Sequence, residues 1–252
     1  MSQLIDNLNI IESVKTDIKT AIENKGVDMT GVSFPGYASK IGEISGGGGW
    51  DQKSITEGTI KIINLDNSAS FVASYAFQNN AKIKTVNLPY ATTVGNNAFY
   101  RCTLLSQVSL PVCSHIGDNA FQYCRSLSQV DFPVCSHIGN GTFWSCRSLS
   151  QLNLPVCRYI GDIAFQNCSS LSQVDLSVCS HIGDAAFQNC YSLSIITIGY
   201  SSVCGLIGSN VFNNTKITSS TGSIYVPASL VDSYKLANNW SYFSTQIFPI
   251  PE

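Results

Sequence analysis

The sequence predicts an α/β repeat solenoid, built from 22-residue coils that each add a strand to a parallel β-sheet and preceded by a helical N-terminal segment. Three observations predict it. Phe77, Phe99, Phe121, Phe143, Phe165 and Phe187 recur every 22 residues and Phe212 follows after 25, which puts a three-residue insertion around Tyr200 to Ser202. Each unit holds a segment that alternates apolar and polar, as in Val86 and Leu88, Val108 and Leu110, or Val130 and Phe132. A period of two sends those side chains to the core and their neighbours outward. Three residues ahead of each phenylalanine stands Ser74, Asn96, Asp118, Asn140, Asp162, Asp184 or Ser209, all types whose side-chain oxygen caps a helix start. Each unit therefore reads as strand, bend at glycine, capped helical turn and return. So small a unit cannot bury its apolar face alone and must stack on its neighbours.

From the N-terminus, residues 1–45 contain no cysteine and are denser in charge. Leu4, Leu8, Ile11, Ile18 and Ile22 make a heptad-like seam, interrupted by Lys15, that predicts an amphipathic helix from about residue 3 to 24. The seam serves either self-association, with a trimer as the expected oligomer, or packing on "FPGYASKIGEI" of the same chain. Residues 46–58, containing "SGGGGW", read as a flexible linker. The solenoid is expected over residues 59–222, and a closing segment over 223–252.

The repeat "LSQVSLPVCSHIGDNAFQYCRS" resembles the leucine-rich repeats of the BspA type, found in bacterial surface proteins, some protists and phage tail proteins. The likeness runs over roughly residues 59–222, and "GSIYVPASLVDSYKLANNWSYFSTQIFPI" resembles the segment that commonly closes such arrays. It implies a parallel-stranded solenoid used for binding and no catalytic residues. The stretch "IKTAIENKGVDMTGVSFPGYASKIGEI" is similar to a segment near the ends of phage tail and tail-fibre proteins, which implies attachment to other virion proteins through the N-terminus.

Composition narrows the function further. A net charge of -2 with 12% charged residues, about half the usual share, offers no electrostatic case for nucleic acid or an anionic membrane. Apolar runs fall far short of the ~20 residues that span a bilayer, so no membrane insertion is expected. "MSQLIDNLNI" lacks the basic start and apolar stretch of a signal peptide, which points to synthesis in a reducing cytosol and weakens a disulfide reading of the ten cysteines.

Those cysteines fall in two columns, Cys102, Cys124, Cys146, Cys168 and Cys190, then Cys113, Cys135, Cys157, Cys179 and Cys204. In-register neighbours point in parallel rather than converging for a disulfide, and spacings of eleven are unlike zinc motifs. Buried thiols lining the core are the favoured reading, with no metal and no cofactor. Ser114, His115 and Asp118 suggest a triad, but adjacent extended residues face opposite ways and Ser-His recurs at 136/137 and 180/181 as a structural column would. Candidate binding residues are the outward strand positions Gln107, Ser109, Gln129, Asp131, Gln151, Asn153, Gln173 and Asp175. In register they form a sheet of amides and carboxylates suited to a glycan or peptide, or else a solvated ladder whose amides satisfy each other. His115, His137, Tyr159 and His181 form a second column, either a pH-sensing or ligand-gripping ladder or simply half-exposed bend residues. Tyr100 and Trp144 interrupt a glutamine column and are candidate sugar-stacking platforms.

The expected function is a non-enzymatic phage virion protein, a tail-fibre or receptor-binding component contacting a glycan or protein of the host surface. The alternative is a bacterial surface adhesin or an intracellular protein-binding scaffold.

Overall fold

The computed structural model describes residues 62–64, 71–206 and 208–251. The expected N-terminal helix, its seam from Leu4 to Ile22 and the glycine-rich linker lie outside them. Strands β1 to β16 are numbered in chain order. The three-residue strands β1 (Ile62–Asn64), β3 (Thr85–Asn87), β5 (Gln107–Ser109), β7 (Gln129–Asp131) and β9 (Gln151–Asn153) form one parallel ladder in that order. A second ladder continues with β11 (Gln173–Asp175), β13 (Ile195–Thr197), β15 (Ser223–Val226) and β16 (Ile247–Pro249). Register follows the 22-residue period, with Gln107 opposite Gln129 and Val108 opposite Val130.

A second side of the solenoid is also a sheet. The dipeptide strands β2 (Phe71–Val72), β4 (Thr93–Val94), β6 (His115–Ile116), β8 (His137–Ile138), β10 (Tyr159–Ile160), β12 (His181–Ile182) and β14 (Gly205–Leu206) pair in sequence as seven parallel strands. Their second residues are buried, and their first residues face outward.

The third side corrects the expected capped helical turn. Two residues in each turn have left-handed backbone, such as Asn119 (φ 55°) and Tyr123 (φ 62°), which a right-handed helix cannot contain. The polar column does not cap a helix; it reaches the next coil. Asp118 Oδ1 accepts the backbone N–H of Asn140 at 2.7 Å, Asn140 Oδ1 that of Asp162 at 2.8 Å, and Asp162 Oδ1 that of Asp184 at 2.8 Å. The described coils are thus a parallel β-solenoid rather than α/β, and the single α-helix among the described residues, α1 (Val231–Leu236), belongs to the C-terminal segment.

The core is a column of stacked phenylalanines. Ring centroids lie 5.0 Å apart for Phe77–Phe99 and 5.3 Å for Phe165–Phe187, widening to 5.9 Å for Phe187–Phe212 where the period lengthens. Burying each ring contributes on the order of 2–3 kcal/mol. At the C-terminal end Phe212 meets Trp240 and Phe243, and Tyr234 packs edge-on to Trp240 at 5.1 Å, so the last ring of the column is covered rather than exposed.

Candidate functional site

The outward residues of the long strands are held by the pleat: in β5, β7 and β11 the central valine is buried and both flanking side chains are exposed. Strand β9 departs from this pattern. Its central Leu152 is half-exposed, and no ladder pairing joins β9 to β11 although the two strands lie side by side. Over this seam the face sinks into a depression of about 770 Å³. Gln129, Asp131, Gln151, Asn153, Gln173 and Asp175 line it, while Gln107 and Ser109 sit one strand further along the face, outside the lining.

Whether these groups satisfy each other is answered residue by residue. Asn153 Nδ2 donates to Asp131 Oδ1 at 2.7 Å, and Ser177 Oγ donates to Asp175. The amides of Gln107, Gln129, Gln151 and Gln173 have no hydrogen-bond partner among the described residues. Elsewhere in the chain glutamines do pair: Gln166 Nε2 donates to Gln188. The lining contains two carboxylates and no basic side chain, so it favours a neutral or cationic ligand over an anionic one.

Sequence reasoning missed Ser150, Ser172, Ile195 and Thr197, which complete the lining. The serines form their own 22-residue column one position ahead of the glutamines, and extending the outward set by one residue would have found them. Ile195 replaces the glutamine of its column opposite Gln173 and adds an exposed apolar contact at the rim.

On the second sheet the predicted ring column is continuous. Centroids of His115–His137, His137–Tyr159 and Tyr159–His181 are 4.5, 4.4 and 4.5 Å apart, with interplanar angles of 15°, 1° and 7°. Rings stacked face to face present only their edges to solvent, so the column can hydrogen-bond along a line but cannot stack on a sugar. Burial, followed by the neighbouring imidazole of His115, pushes the pKa of His137 down, with Asp118 opposing. Ser114, His115 and Asp118 are engaged separately: Ser114 Oγ donates to the Thr92 carbonyl at 3.3 Å, His115 stacks on His137, and Asp118 accepts from Asn140. Tyr100 and Trp144 lie on the turn side, half-buried, away from both sheets.

All ten cysteines are free and buried. One column makes a ladder of its own: Cys124 Sγ donates to the Phe99 carbonyl at 3.2 Å, Cys146 to Phe121 at 3.1 Å and Cys168 to Phe143 at 3.2 Å. Burial pushes the thiol pKa up, to about 12 at Cys102, Cys135 and Cys190. Among the described residues no cluster of three or more His, Cys, Asp or Glu is placed to hold a metal ion, and no helix is long and apolar enough to cross a membrane.

Comparison with known proteins matches this geometry. No curated protein matches the chain. A leucine rich cell surface protein from Faecalibacterium prausnitzii A2-165 is similar at 27% identity and a TM-score of 0.53, over 56% of this chain and 40% of its own, so this chain spans less than half of that protein. The leucine rich repeat protein of T. pallidum is 26% identical with a TM-score of 0.42, over 52% of this chain and 77% of its own. The family match begins beyond residues 1–45, and the phage-like reading of that segment is not supported. The profile described as BspA type leucine rich repeat region, in six copies, matches residues 54–134 and 114–239. With its 22-residue coils, stacked phenylalanines and parallel ladders, the chain belongs to the BspA-type leucine-rich repeat family.

Proposed function

We propose that this protein is a non-enzymatic binding scaffold of the surface-adhesin type, with its ligand seated in the depression across β7, β9, β11 and β13. The observation that carries this reading is the row of glutamine amides: Gln107, Gln129 and Gln151 stand in register and Gln173 lies across the seam, all exposed and without a hydrogen-bond partner among the described residues, where a self-satisfied ladder would have bonded them to each other. Free amides fixed on a rigid sheet bind hydroxyl or peptide groups without first losing side-chain partners, which is how a preformed polar site gains specificity. A location at the bacterial cell surface agrees with the repeats of the F. prausnitzii protein. The virion role expected from the N-terminal segment has no comparable support.

The test is a combined glycan and peptide array probed with the full chain and with a Gln129→Ala/Gln151→Ala/Gln173→Ala variant. All three side chains are exposed, so the variant keeps its fold. Binding lost by about tenfold or more in the variant, at unchanged thermal midpoint, supports the reading. Ligands bound equally by both proteins place recognition elsewhere on the molecule.

A further inference from the structure

The turn side carries a second chemistry, opposite in charge to the sheet face. Each turn has a left-handed position two residues after the phenylalanine, occupied by Asn79, Arg101, Tyr123, Ser145, Asn167, Asn189 and Asn214, all with φ between 59° and 63°. Asparagine is the side chain best suited to that backbone, whereas arginine and tyrosine are strained there by about 1 kcal/mol or more. Asparagine also builds a ladder: Asn189 Nδ2 donates to Asn167 Oδ1 at 3.0 Å and Asn214 Nδ2 to Asn189 Oδ1 at 2.8 Å. Three consecutive coils give up both advantages. Arg101, Tyr123 and Ser145 take the position instead, and beside it stand Tyr100, Arg125, Trp144 and Arg147, so the patch holds three of the four arginines in the chain.

These residues form one connected cluster. Tyr100 and Tyr123 meet edge-on at 5.9 Å, and Tyr123 and Trp144 lie 5.8 Å apart. The Arg101 guanidinium sits 5.2 Å from the Tyr100 centroid and 5.5 Å from that of Tyr123, and Arg125 sits 5.8 Å from Tyr123. Arg147 occupies the Arg125 position one coil on. All three arginines are exposed and none is in an ion pair among the described residues. The indole N–H of Trp144 is buried without a partner. A guanidinium lying over an aromatic ring keeps its donor fork free for an anion, and the three arginines span two coil steps, roughly 10 Å, the scale of a disaccharide.

We infer that this ridge binds an acidic polysaccharide, a polymer whose sugar rings carry carboxylate or sulfate groups. The arginines take the anionic groups and the aromatic rings pack against the sugar faces between them. Local rules of backbone and ladder are broken in one contiguous patch and kept on its C-terminal side, as expected of a functional site. The ridge is separate from the sheet-face depression, so either site can fail without the other.

The experiment titrates the full chain by calorimetry at low ionic strength with heparin oligosaccharides, polygalacturonate, neutral dextran and polyglutamate. The two acidic polysaccharides distinguish sulfate from carboxylate recognition, and binding to either one, with dextran silent, is the expected result. Arg101→Gln/Arg125→Gln/Arg147→Gln weakens it by about tenfold or more. Tyr123→Asn restores the favoured residue of its column, raises the thermal midpoint, and still weakens binding by about fivefold. Polyglutamate bound as tightly as the polysaccharides, binding unchanged in both variants, or no binding to either acidic polysaccharide overturns the inference.

Discussion

Asp162 and Asp184 occupy the same position in successive coils, yet Asp162 Oδ1 accepts the backbone N–H of Asp184 at 2.8 Å while Asp184 Oδ1 is buried with no partner. The difference lies in the coil that follows. After Asp184 the period lengthens, and Gly208, in left-handed conformation at φ 83°, is the close neighbour of its carboxylate. The ladder of side-chain oxygens therefore stops there. Asp162→Ala leaves a backbone N–H unpaired and should destabilise the fold by about 1–2 kcal/mol. Asp184→Ala removes an orphaned acceptor and should cost less than half as much. Urea midpoints of the two variants against the parent check the order, and an equal loss at both positions would mean that the ladder is not what these residues contribute.

The glycine column has a steric cause. A Cβ on Gly161 would lie 2.7 Å from the backbone nitrogen of Asn140 and 2.7 Å from the carbonyl carbon of Gly139, both main-chain atoms that cannot step aside. Coils approach too closely here for any other residue. Gly161→Ala should therefore destabilise by about 1–3 kcal/mol, as overpacking does. Thermal unfolding of the variant tests it; an unchanged midpoint would show that neighbouring coils can slide apart.

What could be read from the sequence was set by period. Alternation over β5 and β7 with a repeat of 22 puts Gln107, Gln129 and Gln151 in one outward row, and their register is the observed one. In sequence alone the polar column reads as helix caps, because asparagine and aspartate serve equally as N-caps, as left-handed turn residues and as acceptors for a neighbouring coil. The second sheet escaped notice since a two-residue strand such as His137–Ile138 shows no alternation. Nothing in Leu152, an ordinary apolar residue in its column, announces the seam between β9 and β11. Arg101 and Tyr123 are silent for a related reason: their backbone conformation, invisible in the residue letters, is what makes them anomalous.

Thiol chemistry separates the two cysteine environments. Burial holds Cys113 up at about 11 and Cys102, Cys135 and Cys190 at about 12, so none of them is a thiolate near neutral pH. Cys179 is the exception, because its side-chain hydrogen bond with Cys204 pulls its pKa below the ordinary thiol value. Iodoacetamide at about pH 8 should leave the native protein almost unlabelled, with any early adduct on Cys179, and should label all ten cysteines in guanidinium. Peptide mass mapping over time reads the result. Early labelling of Cys124 or Cys146 would contradict their place in the core.

The ring column makes stability depend on pH through His137. Its neighbours are His115 on one face, Tyr159 on the other and the Asp118 carboxylate, and the balance of burial and the His115 charge over Asp118 pushes its pKa below the ordinary 6.5. As pH falls through 6.5 the unfolded chain takes up a proton that the folded chain refuses, so the unfolded state binds more protons and stability drops. The contribution is fully present above 6.5 and is lost as pH falls through the lowered value in the folded state. His137→Gln keeps a polar side chain without the charge and should flatten the dependence. Urea midpoints at about pH 7.5 and about pH 5 should therefore differ more for the parent than for the variant, and NMR titration of the His137 ring should give a pKa below the model-peptide range. Equal pH dependence in the two proteins, or a ring that titrates at the ordinary value, would remove the stacked column from the list of pH-sensitive elements.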